Sequence, residues 1–135
     1  MIKGSTFPMW LSGKRQVPSI SYKILNRHPL KLLDIVTYQT NTGKIRKITG
    51  IDTFREELFV WRGKGVLKIL TSKWRVIGLT DNILVIRFDA SLVTPAGIDV
   101  LVRKGTEIGS LGAVLTNNTD KFGLTIDEIS RLKWI

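Results

Sequence analysis

Two aspartates sit inside apolar strings, in Leu33-Asp34-Ile35 and Ile98-Asp99-Val100, and a carboxylate in such a setting is either turned to solvent or buried for a reason. If Asp34 shares a strand face with Leu32, Val36 and Tyr38, it is a buried carboxylate that pairs with an arginine or receives a polar group of a ligand. If Leu33 and Ile35 face inward instead, Asp34 lies on the surface. A structural salt bridge is the expected role, because acid catalysis needs a second acid or base nearby. The string Trp61-Arg62-Gly63-Lys64-Gly65 is the second candidate. Its glycines allow backbone N–H groups to approach an anion while Arg62 and Lys64 supply charge, as in a phosphate-cradling nest. The same five residues also suit a glycine-rich hairpin turn with solvated cations, and Lys68, Lys73 and Arg75 extend the charge along one strand face. Neither a Walker A nor a dinucleotide spacing is present. His28, just before Pro29, reads as an exposed turn residue rather than a lone haem ligand.

The remaining inventory is short. The chain has no cysteine and a single histidine, so disulfides, thiolate nucleophiles and zinc sites have almost nothing to be built from. No catalytic residue, metal site or cofactor is assigned. Tyr22, Tyr38, Phe59, Trp61, Trp74 and Phe88 stand on strand-like segments, where they line a cavity or fill it. Trp10 is read as a core tryptophan or as the residue that closes one end of a barrel against a cation, with Arg103 the candidate partner.

The elements that would position these residues repeat mostly with period two. Ile20, Tyr22 and Ile24 alternate with polar neighbours, residues 30–39 form a denser apolar run, and Asn41-Thr42-Gly43 marks the turn into a returning arm that ends at residue 52. Leu58–Trp61, Trp74–Ile77, Ile83–Phe88 and Ile98–Val102 complete the series, with Asp81-Asn82 and Thr94-Pro95-Ala96-Gly97 as turns. After residue 105 the period changes. Ile108, Leu111 and Leu115 share a helical face, and Thr125-Ile126-Asp127-Glu128 is a capping box that opens a short C-terminal helix. With 135 residues, 43% hydrophobic and 24% charged, the composition is that of a globular chain with room for one core. The expected fold is all-β: an up-and-down antiparallel barrel of about eight strands over residues 5–104, closed so that sheet edges disappear, with a helical tail over 107–135 in the same single domain.

An early tryptophan, successive hairpins, a late strand bearing arginine and a terminal helix together resemble the lipocalin or calycin superfamily. More narrowly, FPMWL, WRGKG with the following LKILTSKW, and TPAGIDV are similar to strings of small lipocalin-like bacterial proteins. The resemblance spans Phe7 to Arg103 and implies non-catalytic transport or sequestration of a small hydrophobic molecule.

The formal charge of +10 sits unevenly: residues 1–75 hold 15 Lys and Arg against 4 Asp and Glu, and residues 76–135 hold 6 against 7. Such a field attracts anions without choosing among them. A barrel cavity with a mouth rimmed by Lys and Arg suits an amphipathic, even anionic, ligand. A nucleic-acid or anion-binding module on an outer basic face is the alternative, although no aromatic stacking platform interleaves with the cations. A calycin-like isomerase or cyclase is a third reading. No apolar run approaches the 18 to 20 or so residues of a membrane span, and no signal-peptide core follows Met1, so the cytoplasm is the expected location unless a segment upstream has been trimmed.

Overall fold

The computed structural model describes residues 1–92 and 95–135. Strand β1 (Ile2–Ser5) leads through the short helix α1 (Pro8–Leu11) into β2 (Arg15–Arg27), β3 (Leu30–Thr40), β4 (Ile45–Arg55), β5 (Leu58–Gly63), β6 (Thr71–Leu79), β7 (Ile83–Phe88) and β8 (Gly97–Val102). Helices α2 (Leu111–Thr116), α3 (Thr119–Phe122) and α4 (Ile126–Arg131) follow, and β9 (Lys133–Trp134) ends the chain. The strands form one antiparallel sheet in the order β2-β3-β4-β5-β6-β7-β8-β1-β9. It curls until Tyr22 on β2 meets Trp74 on β6, with ring centroids 5.8 Å apart.

The period-two reading and the hairpin turns hold. The first hairpin after β2 is set by Gln39 pairing with Ile45, and Gly43 adopts φ +83° in the turn between them. The turn before β8 includes Thr94, which lies outside the described residues. Among the described residues there are nine strands instead of about eight, and they begin at Ile2 rather than near residue 5. The terminal strands β1 and β9, which the alternation did not mark, have four and two residues, too few to show a period. Among the described residues no ladder joins β2 to β9, so the barrel is curled with two sheet edges rather than sealed.

Alternation divides the core in two. On β7 and β8, Ile83, Val85, Ile98 and Val100 point outward and are covered by Leu115, Phe122, Leu124, Ile129 and Leu132 of the helical tail. Their neighbours Leu84, Ile86, Phe88 and Leu101 point inward, where Phe7, Trp10, Phe59 and Trp74 complete a second cluster. Strands buried on both faces explain the near-continuous apolar runs in this part of the sequence. Helix α3 comes so close to β6 that a Cβ on Gly78 would lie 2.6 Å from the Phe122 backbone. The expected capping box is formed. Thr125 Oγ1 accepts from Glu128 N and Glu128 Oε1 accepts from Thr125 N, each at 3.1 Å. Glu128 also pairs with Arg87 on β7 at 2.6 Å, which ties α4 to the sheet. Of the apolar positions expected to anchor this helix, Ile129 and Leu132 are buried, whereas Ile126 is exposed.

On the other side of the barrel the outer face of β2 to β5, and of β6 ahead of Gly78, has no described α-helix over it. Strand register places Lys23, Lys31, Lys47, Arg55, Arg62, Lys73 and Arg75 there, around half-buried Leu33, Ile35, Ile51 and Val60. Much of the charge of the N-terminal half is therefore carried on one sheet face.

Candidate ligand-binding site

The inner face of the curled sheet gathers the aromatic residues into one cluster. Phe59 and Trp74 are buried and stacked at 4.4 Å, and Tyr22, Tyr38, Trp61 and Phe88 are half-buried against the same core. At the end where β2 begins, α1 seats Trp10 against Tyr38, with ring centroids 6.3 Å apart. The opposite end carries the hairpin turns 28–29, 56–57 and 80–82. Inner-face Ile24, Phe54, Val76 and Leu79 remain 40% to 65% exposed. Apolar side chains of the inner face therefore stay wet at this end of the barrel.

Below this apolar mouth lie two carboxyls. Asp34 faces inward with Leu32, Val36 and Tyr38, the first of the two arrangements its neighbours allowed, and it is buried. Its partner is another acid and not an arginine. Asp34 pairs with Gly50 across the β3–β4 ladder, which makes Asp52 its diagonal neighbour on the same face, within side-chain reach. Asp52 is fully buried, and its Oδ1 accepts from the Trp74 indole N–H at 2.9 Å. Asp34 Oδ1 and Asp52 Oδ2 find no hydrogen-bond partner outside the pair, and Ser72 Oγ, on the same inner face, is buried without one.

Burial, the Asp52 charge and the hydrogen bond between the two carboxyls push Asp34 well above the usual carboxylate range. Burial raises Asp52 as well, but the hydrogen bonds it receives from Trp74 and Asp34 offset part of that rise. The pair therefore holds a proton on Asp34 that bonds to Asp52, and near neutral pH its net charge is −1. Burial, with the charges of Asp34, Asp52 and Asp99, raises the Tyr22 phenol and keeps it neutral. No described arginine or lysine forms an ion pair with either aspartate; the described ion pairs are Arg75–Asp89, Arg87–Glu128 and Arg131–Asp127.

Asp99 belongs to a separate cluster at the Trp10 end. Ser5 Oγ donates to its Oδ1, and the Trp10 indole N–H donates to its Oδ2 at 3.3 Å. Burial pushes Asp99 up to about 7, and these two hydrogen bonds oppose the rise. The polar partner of Trp10 is thus Asp99 rather than Arg103. Arg103 instead donates from Nε to the Asp81 carbonyl at 2.8 Å near the open end, and the cation at the Trp10 end is Arg15, 5.4 Å over the Tyr38 ring.

The Trp61–Gly65 string is built as a turn. The Gly63 N–H donates to Leu70 O and the Lys64 N–H to Thr49 O, so two of the expected anion donors are occupied. A Cβ on Gly63 would lie 2.4 Å from Leu67, which explains the glycine by packing. Arg62 Nη1 donates to Lys68 O, and Gly65 adopts φ +64°. The mouth also departs from the expected basic rim, because its turns set Arg27 and Arg55 beside Glu56, Glu57 and Asp81. His28 is an exposed turn residue, as its place before Pro29 suggested.

Asp52, Phe54, Ser72 and Leu79 are among the inner-face residues that the sequence reading passed over. Counting pairs back from the Asn41-Thr42-Gly43 turn places Asp52 opposite Leu32, and so on the Asp34 face. Ser72 carries no comparable signal. No helix of the described residues is long and apolar enough to cross a membrane.

No protein-family model and no curated protein matches the chain. Solved structures do match its fold. Apocrustacyanin C1 aligns with a TM-score of 0.68 at 11% identity, covering 99% of this chain and 73% of that one. Apocrustacyanin C2 aligns at 0.67 and 10% identity, and lobster apocrustacyanin A1 at 0.66 and 10%, each covering 98% of this chain and 72% of the other. At such identities the likeness speaks for the fold alone, and the fold is the lipocalin-like antiparallel barrel that the strand pattern and the Phe7–Arg103 resemblance implied.

Proposed function

We propose that the protein carries a small hydrophobic or amphipathic molecule in its barrel without transforming it. The observation behind this reading is the wet apolar inner face of Ile24, Phe54, Val76 and Leu79 above the Phe59–Trp74 stack. An open cup of this kind gains affinity by taking apolar surface out of water, at about 0.8 kcal/mol for each buried methylene. A homologous series of n-alkyl alcohols, followed by tryptophan emission, tests it directly. Affinity is expected to rise about fourfold per added carbon until the cup is full, and to fall when Leu79→Lys or Phe54→Lys places a charge at the mouth. An affinity independent of chain length would count against the cup.

A second reading draws on the cationic outer face of β2 to β6, which suits a polyanion. On that face the residues between the cations are aliphatic, so base stacking has no platform. Oligonucleotide titrations at two salt concentrations decide between the two: a steep loss of affinity with salt marks a purely electrostatic contact.

A further inference from the structure

We infer that the Asp34–Asp52 pair receives a protonated amine, so that the ligand is an amphiphile that enters the cup with its ammonium group first. This inference rests on the carrier reading and names the chemistry of its ligand. Asp52 is the next inner-face residue below exposed Phe54 on β4, and the pair therefore lies one step down from the mouth. Asp34 Oδ1 and Asp52 Oδ2 are buried with no partner but the proton the two carboxyls share, Ser72 Oγ is buried with none, and all three residues are less than a tenth exposed. The described donors that reach the two carboxyls are the Trp74 indole N–H and the proton that the carboxyls share. Buried acceptors without donors are rare in folded proteins because each loses hydration without replacement. An alkylammonium offers three N–H donors and a positive charge against the net −1 of the pair, whereas an alcohol offers one donor and no charge. A carboxylate headgroup offers neither and is repelled. The other residues facing the pair are neutral: Tyr22 from β2, Phe59 and Trp61 from β5, and Ser72 and Trp74 from β6.

The preference runs against the molecule's overall charge, which makes it diagnostic. A +10 protein attracts a fatty carboxylate and repels an alkylammonium at long range, so selection for the amine has to arise locally.

The test compares decylamine, decanol and decanoate at pH 7 and moderate salt, by tryptophan fluorescence and calorimetry, on the wild type and on the double variant Asp34→Asn/Asp52→Asn. In the wild type the amine is expected to bind about tenfold or more tighter than the alcohol, with the carboxylate weakest. The double variant, which leaves no carboxyl and no charge at the pair, is expected to lose that preference. Equal wild-type affinities for amine and alcohol overturn the inference and leave the carrier reading standing. Binding of none of the three overturns both. The headgroup series on the wild type needs no variant to fold.

Discussion

Between pH 5 and 7 the folded protein should lose stability as the pH rises, because it holds protons that the unfolded chain has released. Asp99, Asp34 and Asp52 all have raised folded-state pKa values, and burial is the first cause in each. A carboxyl raised in the folded state gives its full stabilisation below the unfolded value near 4, and that stabilisation disappears as the pH passes through the folded value. For Asp99 the rise from 3.8 to about 7 is worth about 4 kcal/mol over that window, at about 1.4 kcal/mol per pH unit. Near pH 6.5 Asp99 and the aspartate pair each keep about one proton, which gives a combined slope of about −3 kcal/mol per pH unit. Asp99→Asn should roughly halve the slope, since the amide stays neutral at every pH, and Asp34→Asn should do the same at the other cluster. The Met1 ammonium, lowered by burial and by Lys3 and Lys104, works in the opposite direction as the pH nears its ordinary value of 8, so the slope is best read below pH 7. Urea unfolding followed by tryptophan emission at pH 5, 6 and 7 measures it. A wild-type stability that is flat or rising across this range, or an Asp99→Asn variant with an unchanged slope, would refute the argument.

Glu56 and Glu57 occupy the two-residue turn between β4 and β5 with φ +50° and +68°, a conformation that favours Asn-Gly; replacing them with Asn-Gly should raise stability by about 1 to 2 kcal/mol in a denaturant titration. Glu128→Ala removes the capping box and the Arg87 ion pair together, and the loss should be about 1 to 2 kcal/mol, with the tail on β7 and β8 losing amide-exchange protection first. Gly50→Ala would put a Cβ 2.1 Å from Trp61 Nε1, so the indole must swing away; a red-shifted emission and a loss of about 1 to 3 kcal/mol are expected, and an unchanged spectrum would show that Trp61 does not lie over Gly50.

What could be read from the chain itself follows the range of the forces involved. Alternation in β2, β3, β7 and β8 is written within each strand, as is the Thr125–Glu128 cap, and both kinds of element appear where the pattern put them. Contacts that depend on the curl of the sheet leave no local trace. Trp10 meets Asp99 across 89 residues, and Ser5 meets it across 94, so an aromatic–carboxylate pair formed where an aromatic–cation pair was expected. The Asp34 neighbours permitted two faces, and only the register to β4 selected the inner one and brought Asp52 alongside. The glycines of the Trp61–Gly65 string were legible as glycines, but their reason, the packing of Leu67 against Gly63, needs the folded turn. The turn at Glu56-Glu57 had no glycine, asparagine or proline to announce it.

The central claim is that an apolar cup, open at the 56–57 and 80–82 turns, holds a small organic molecule. Native mass spectrometry of the protein purified without denaturation, beside the same sample denatured, addresses it most directly. The spectra are recorded again after incubation with a mixture of alkyl amines, alcohols and acids. The predicted result is a one-to-one adduct that disappears on denaturation and is lost in Leu79→Lys. The bare chain mass in every spectrum, with or without the added amphiphiles, would contradict the account.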